Sequence, residues 1–238
     1  MSGLFFVIMF LGLLPIAWAI PFIGILLWCW ITFMSPHQLV SGFGSGLRLN
    51  LMIAVVTLLG WIFWKERKRF PLNTTVILIF FLTLLTTLST ALSMAPEISW
   101  PLWERHIKTF FLIFMIMAIM HNRVRIQALV WMTVISIGYY SVQGGLIGIA
   151  SGGNSHIFGP PNSQITDNNA LALAMVVVLP LINYLRIQSE RRSVQLILLG
   201  SMALSIIGIL STYSRGGLIS LVAMLSYLCL KSNSKRPA

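Results

Sequence analysis

The chain has 238 residues, of which 57% are hydrophobic and only 9% charged. Soluble domains carry about a quarter charged residues, so this balance excludes an ordinary water-soluble enzyme and a disordered tail. Two cysteines, Cys29 and Cys229, are too few for a disulfide scaffold. The net charge of +11 lies in short clusters between apolar runs rather than along one face, which excludes a nucleic-acid surface.

A membrane core of about 30 Å needs about 20 apolar residues per helical crossing. Its lack of water requires every backbone group to be bonded internally. The apolar runs here are continuous rather than alternating, which predicts helices. In chain order the predicted spans are 4–34, 49–64, 72–93, 102–120, 126–149, 170–185, 194–212 and 216–230. The expected fold is all-α: a polytopic transmembrane helical bundle of about eight spans, nine if 4–34 crosses twice. It forms a single integral membrane domain over 1–238, with 231–238 as a basic cytoplasmic tail. The first stretch carries Pro15 and Pro21, each of which removes a backbone donor and kinks a helix. It is either one span with a broken or interfacial piece, or two short spans. Met1-Ser2-Gly3 lacks the positive n-region of a signal peptide.

Charge predicts the orientation, because Lys and Arg favour cytoplasmic loops. Lys65-Glu66-Arg67-Lys68-Arg69 carries +3, Arg123 with Arg125 +2, Arg186 with Glu190, Arg191 and Arg192 +2, and Lys231, Lys235 and Arg236 +3. These clusters occupy every second loop and hold 12 of the 16 basic residues. The intervening segments carry a net +1, so 35–48, 94–101, 151–169 and the turn near 213–216 are expected to face outward. With eight spans both termini are cytoplasmic; a double crossing at 4–34 moves the N-terminus outside. Trp61, Trp64, Trp100 and Trp103 flank predicted span ends, where indoles anchor at the headgroups; sugar stacking is the alternative role for such rings.

No hydrolase elbow, phosphate loop or zinc-protease motif is present. His37, His106, His121 and His156 lack ligand spacing, so neither metal nor cofactor is expected. The most informative residue is Arg215, in Ser211-Thr212-Tyr213-Ser214-Arg215-Gly216-Gly217 between two apolar runs. An arginine on the outer side runs against the positive-inside pattern. Its guanidinium fork, with Gly216 and Gly217 opening the backbone beside it, suits phosphate oxygens; snorkelling to the interface is the competing role. Arg48 is a second candidate anion contact. The polar segment 151–169 ends in Asp167-Asn168-Asn169 before an apolar run, a pattern that caps a helix and also offers hydrogen bonds to sugar hydroxyls. Asn162 and Trp103 are further glycan candidates. His156 is read as a solvated loop residue rather than a base. Glu104 and Lys108, four apart on a helix, are expected to pair.

Several of these strings are familiar together. Ser214-Arg215-Gly216-Gly217 after an apolar helix resembles the Ser-Arg-Gly motif of the O-antigen ligase and polymerase superfamily. Gly159-Pro160-Pro161 and Asp167-Asn168-Asn169-Ala170-Leu171-Ala172-Leu173-Ala174 resemble the O-glycosylation ligases associated with exosortase A systems. So do Met34-Ser35-Pro36-His37, Leu58-Leu59-Gly60-Trp61 and the Trp100-Pro101-Leu102-Trp103-Glu104 run, in order along nearly the whole chain.

The resemblance implies a metal-independent glycosyltransferase of the bacterial inner membrane. Such an enzyme moves a glycan from undecaprenyl diphosphate to a periplasmic acceptor, with arginines gripping the diphosphate. In the family a large outer loop further along the chain carries a histidine base. The sequence is therefore expected to correspond to the N-terminal half of such a ligase, weakly active or inactive alone. Its expected partners are the bilayer, the lipid-linked glycan and a separate C-terminal half or acceptor. The other readings are a non-catalytic membrane scaffold and a lipid-linked glycan transporter. No carboxylate lies deep in a predicted span, which disfavours ion-coupled transport.

Overall fold

The apolar runs form helices: Asn73 and Asp167 cap two of them, and Pro21 and Pro96 open two more. The computed structural model describes residues 3–39, 48–65, 73–161 and 163–233. Among them lie nine α helices and no strand: α1 (Gly3–Ala19), α2 (Pro21–Met34), α3 (Leu49–Phe63), α4 (Thr74–Ala91), α5 (Pro96–Ile119), α6 (Arg123–Ala150), α7 (Asn168–Gln188), α8 (Arg192–Ser211) and α9 (Arg215–Asn233). A single 3-10 turn, Pro36–Gln38, follows α2. Four helices, α4, α6, α7 and α8, are long and apolar enough to cross a membrane, which marks a helical membrane protein.

The predicted run 4–34 is two helices. Pro21 opens α2 and Ile20 separates it from α1. The Phe6 and Trp30 rings lie 6.2 Å apart, so the chain doubles back between them; a straight helix would separate these residues by about 36 Å. The expected outer loop 94–101 is also shorter than the sequence indicated. Pro96 takes the first position of α5, where its missing N–H costs nothing, and the helix runs on through Pro101 at the loss of one bond to the Glu97 carbonyl. The expected 231–238 tail begins inside α9, and 234–238 lie outside the described residues.

The chain divides into two compact units, one made of Met1–Val7, Cys29–Leu47 and Ala128–Ala238, the other of Ile8–Trp28 and Arg48–Gln127. The first unit is built on α7. One side of its core gathers Leu171, Met175, Val176 and Leu179 with Tyr140, Ile157, Ile209 and Leu221. The other gathers Val178, Ile182 and Leu185 with Val134, Ile137 and Leu198. The Tyr140 hydroxyl donates to the Met34 carbonyl, tying the end of α2 to α6.

In the second unit α4 and α5 form an antiparallel hairpin. Along the facing stripe of α4, Thr83, Thr86, Thr87 and Thr90 return their hydroxyls to carbonyls of the preceding turn, which satisfies them without water. Asn73 caps α4 by accepting from the Val76 N–H at 3.1 Å. Gly24 and Gly60 let α3 approach its neighbours closely: a Cβ at Gly60 would lie 2.5 Å from the Trp18 carbonyl oxygen.

Candidate functional site

Three N-terminal and C-terminal helix ends of the first unit meet where the most polar sequence lies. Asp167 stands before α7 in extended backbone, and its Oδ1 accepts from the Asn169 N–H at 2.8 Å and the Ala170 N–H at 3.3 Å. This is helix capping, the first of the two roles that its sequence context allowed. Asn168 and Asn169 follow in the first turn and reach away from their own helix. The Asn168 side-chain amide donates to the Thr212 carbonyl at 3.0 Å. The Ser214 hydroxyl donates to Asn169 Oδ1 at 2.7 Å.

Ser214 in turn caps α9, accepting from the Gly217 N–H at 2.9 Å. The Thr212 hydroxyl donates to the Ile209 carbonyl and accepts from the Ser214 N–H, which closes the turn between α8 and α9. Two strings 45 residues apart are thus one hydrogen-bonded latch. Thr212 and Ser214 are buried in it.

Arg215 is the first residue of α9 and is exposed. The one ion pair among the described residues is the expected Lys108–Glu104 contact of 2.5 Å, so no described carboxylate holds the Arg215 guanidinium. Gly216 is open, with only Ser214 Oγ at 3.9 Å from the place of a Cβ. Gly217 is used differently. Its N–H is taken by Ser214, and a Cβ would meet that of Ala172 at 2.5 Å, so this glycine serves the contact between α9 and α7.

Tyr213 was not singled out as a candidate, yet its backbone is unusual. It follows the Thr212 cap of α8 at φ 54, a position that normally takes glycine, and a bulky residue there costs about 1–3 kcal/mol. Its hydroxyl donates to the Gly153 carbonyl. The His156 ring stacks on it with centroids 4.4 Å apart and planes at 21°, and on Phe158 at 6.3 Å and 22°. His156 is therefore exposed but not free in a loop: it is the middle ring of three. The link between 156 and 213 leaves no local pattern in the sequence.

The remaining candidates fall elsewhere. Arg48 stands exposed at the start of α3, in the second unit. Trp103, in the same unit, donates its indole N–H to Thr87 Oγ1 at 3.0 Å across the α4–α5 hairpin and packs edge-on to Trp100. It lines an open groove of about 400 Å³ with Thr86, Ser89, Thr90, Ser99 and His106. Asn162 lies outside the described residues. No group of three or more metal-ligating side chains occurs among those described.

His37, in the turn after α2, is buried, and its Nδ1 has no hydrogen-bond partner among the described residues. Burial pushes its pKa below the ordinary value of 6.5. The folded chain resists the proton that the unfolded chain accepts, so stability is full above about pH 6.5 and falls as the pH drops below it. A His37→Gln variant is expected to lose less thermal stability than the wild type between about pH 7.5 and about pH 5; parallel losses would show that this imidazole takes up its proton as readily in the folded chain as in the unfolded one.

The helices mark a membrane protein, and its polar latch carries an exposed arginine with no carboxylate partner among the described residues. The chain belongs to a family described as of unknown function, DUF5935, which matches residues 1–190. The match takes in the Asp167-Asn168-Asn169 side of the latch and ends before α8. No curated protein and no solved structure matches.

Proposed function

We propose that this chain is a multi-pass inner-membrane protein that holds a lipid-linked glycan by its diphosphate at Arg215, in the manner of the O-antigen ligase-like proteins its motifs resemble. The observation that carries the reading is the exposed Arg215 guanidinium, without a carboxylate partner among the described residues, on a turn whose backbone is fixed by the Asn168, Asn169 and Ser214 hydrogen bonds. A cation held this way can meet phosphate oxygens without first giving up an ion pair.

On this reading the loop 151–169 and the Thr212–Ser214 turn face the periplasm, and the basic segments after α3, α5, α7 and α9 face the cytoplasm. The α1–α2 hairpin then crosses twice, giving nine crossings and an outer N-terminus. In glycan transfer, an acceptor oxygen forms a bond to the anomeric carbon as the bond to the diphosphate oxygen breaks. The negative charge that grows on the leaving diphosphate is what Arg215 stabilises. No residue described here is assigned as the base, so the part of the reaction given to this chain is binding and charge stabilisation.

The test is binding of undecaprenyl diphosphate to the purified chain in nanodiscs. Arg215→Ala is expected to weaken it at least about 10-fold, the scale of one charged hydrogen bond, and Arg215→Lys to weaken it less. Unchanged affinity in Arg215→Ala overturns the reading and favours a scaffold.

A further inference from the structure

The reading of Arg215 as a diphosphate contact leaves the three rings beside it unexplained. Tyr213 occupies the left-handed position after α8, where glycine would fit without strain. A ring placed there at a cost should be repaid by burial, and it is not. Tyr213 is 52% exposed and Phe158 60% exposed, and His156 between them is also exposed. The rings are nonetheless ordered against one another, with the Tyr213 hydroxyl pinned to Gly153, itself at φ 86. A strained, exposed set of near-parallel rings is a surface kept for a ligand rather than for the core.

The ligand chemistry follows from the neighbour. Arg215 lies two positions beyond Tyr213, with only Ser214 between them, a reach of at most about 7 Å along the backbone. That is the scale of one sugar ring and the phosphate it carries. A pyranose has a face of C–H groups that packs on aromatic rings, and its rim of hydroxyls requires polar partners. The segment around His156 supplies those in Asn154 and Ser155. We propose that His156, Phe158 and Tyr213 form a stacking shelf for the carrier-proximal pyranose of a lipid-linked glycan whose diphosphate rests on Arg215. The inference rests on the diphosphate reading and adds the sugar subsite to it.

The experiment uses two probes on the purified chain in nanodiscs: undecaprenyl diphosphate, and the same carrier bearing one N-acetylglucosamine. The wild type should bind the sugar-bearing probe about three- to tenfold more tightly, the worth of an aromatic stack. Tyr213→Gly suits the backbone position, so its melting temperature should stay level or rise while the sugar advantage disappears and affinity for the bare carrier holds. His156→Ala should reduce the advantage in the same way.

Equal wild-type affinities for both probes overturn the shelf alone. So does Tyr213→Gly that keeps the advantage, that weakens both probes alike as a headgroup anchor would, or that loses stability as a purely structural ring would. If neither probe binds the wild type, the Arg215 reading falls and the shelf with it.

Discussion

Gly145→Ala should destabilise the protein by about 2 kcal/mol, although alanine is the better helix former by about 1 kcal/mol. A Cβ at Gly145 would stand 2.3 Å from the Leu204 carbonyl oxygen and 2.8 Å from its carbon. These are backbone atoms and cannot rotate away, so the helices must move apart. Gly145 belongs to a seam. On α6, Ser141, Gly145 and Gly148 recur at helical spacing; on α8, Leu204, Gly208 and Ser211 do the same. A Cβ at Gly148 would lie 2.1 Å from Ser211 Oγ, and one at Gly208 would lie 2.8 Å from the Ser141 carbonyl oxygen.

In lipid, apolar side chains gain little by meeting each other, and close backbone approach through small residues carries helix association. Opening the seam at one point therefore disturbs all three layers of it. Gly200 is the control. It lies on α8 with nothing among the described residues within 4 Å of a Cβ, so Gly200→Ala should leave stability unchanged or raise it by up to about 1 kcal/mol. Reversible unfolding in detergent compares the two; equal effects would mean that α6 and α8 do not touch as described.

The sequence made the helices legible because the hydrophobic runs and their breakers are local. The predicted 170–185 sits inside α7, the predicted 194–212 overruns the end of α8 by one residue, and Asp167 reads as a cap from its position alone. Pro21 marked the break in 4–34, yet the fold-back depends on Phe6 meeting Trp30, which no local pattern announces. Likewise Pro101 suggested a loop, but a helix can absorb one lost bond, so α5 begins at Pro96. The site was half legible. Arg215 drew attention because a charge between apolar runs needs a reason, and Asn168 and Asn169 because polar side chains before a span are costly to leave unused. What joined them was not legible: the Asn168–Thr212 and Ser214–Asn169 bonds span 44 and 45 residues. In a soluble protein the apolar face of each helix would have said which side packs. In lipid both sides are apolar, and that cue is lost.

The latch makes the second large prediction. Ser214→Ala should cost about 2 kcal/mol. It removes the cap of α9, leaving the Gly217 N–H without its acceptor, and it removes the donor to Asn169. Asn169→Ala should cost about 1 kcal/mol, since it deletes one hydrogen bond at a less buried position and leaves the cap in place. If the two side chains act through each other, the double variant should cost less than the sum, with an interaction energy of about 0.5–1.5 kcal/mol. Strict additivity would mean that the two residues are neighbours without being partners. The coupling bears on the site because Ser214 immediately precedes Arg215: a loosened cap lets the first turn of α9 fray and the guanidinium wander. Asn169→Ala should therefore weaken undecaprenyl diphosphate binding by about 2- to 5-fold while Arg215 itself is untouched, whereas Asn73→Ala, which removes the corresponding cap of α4 in the other unit, should not change that affinity.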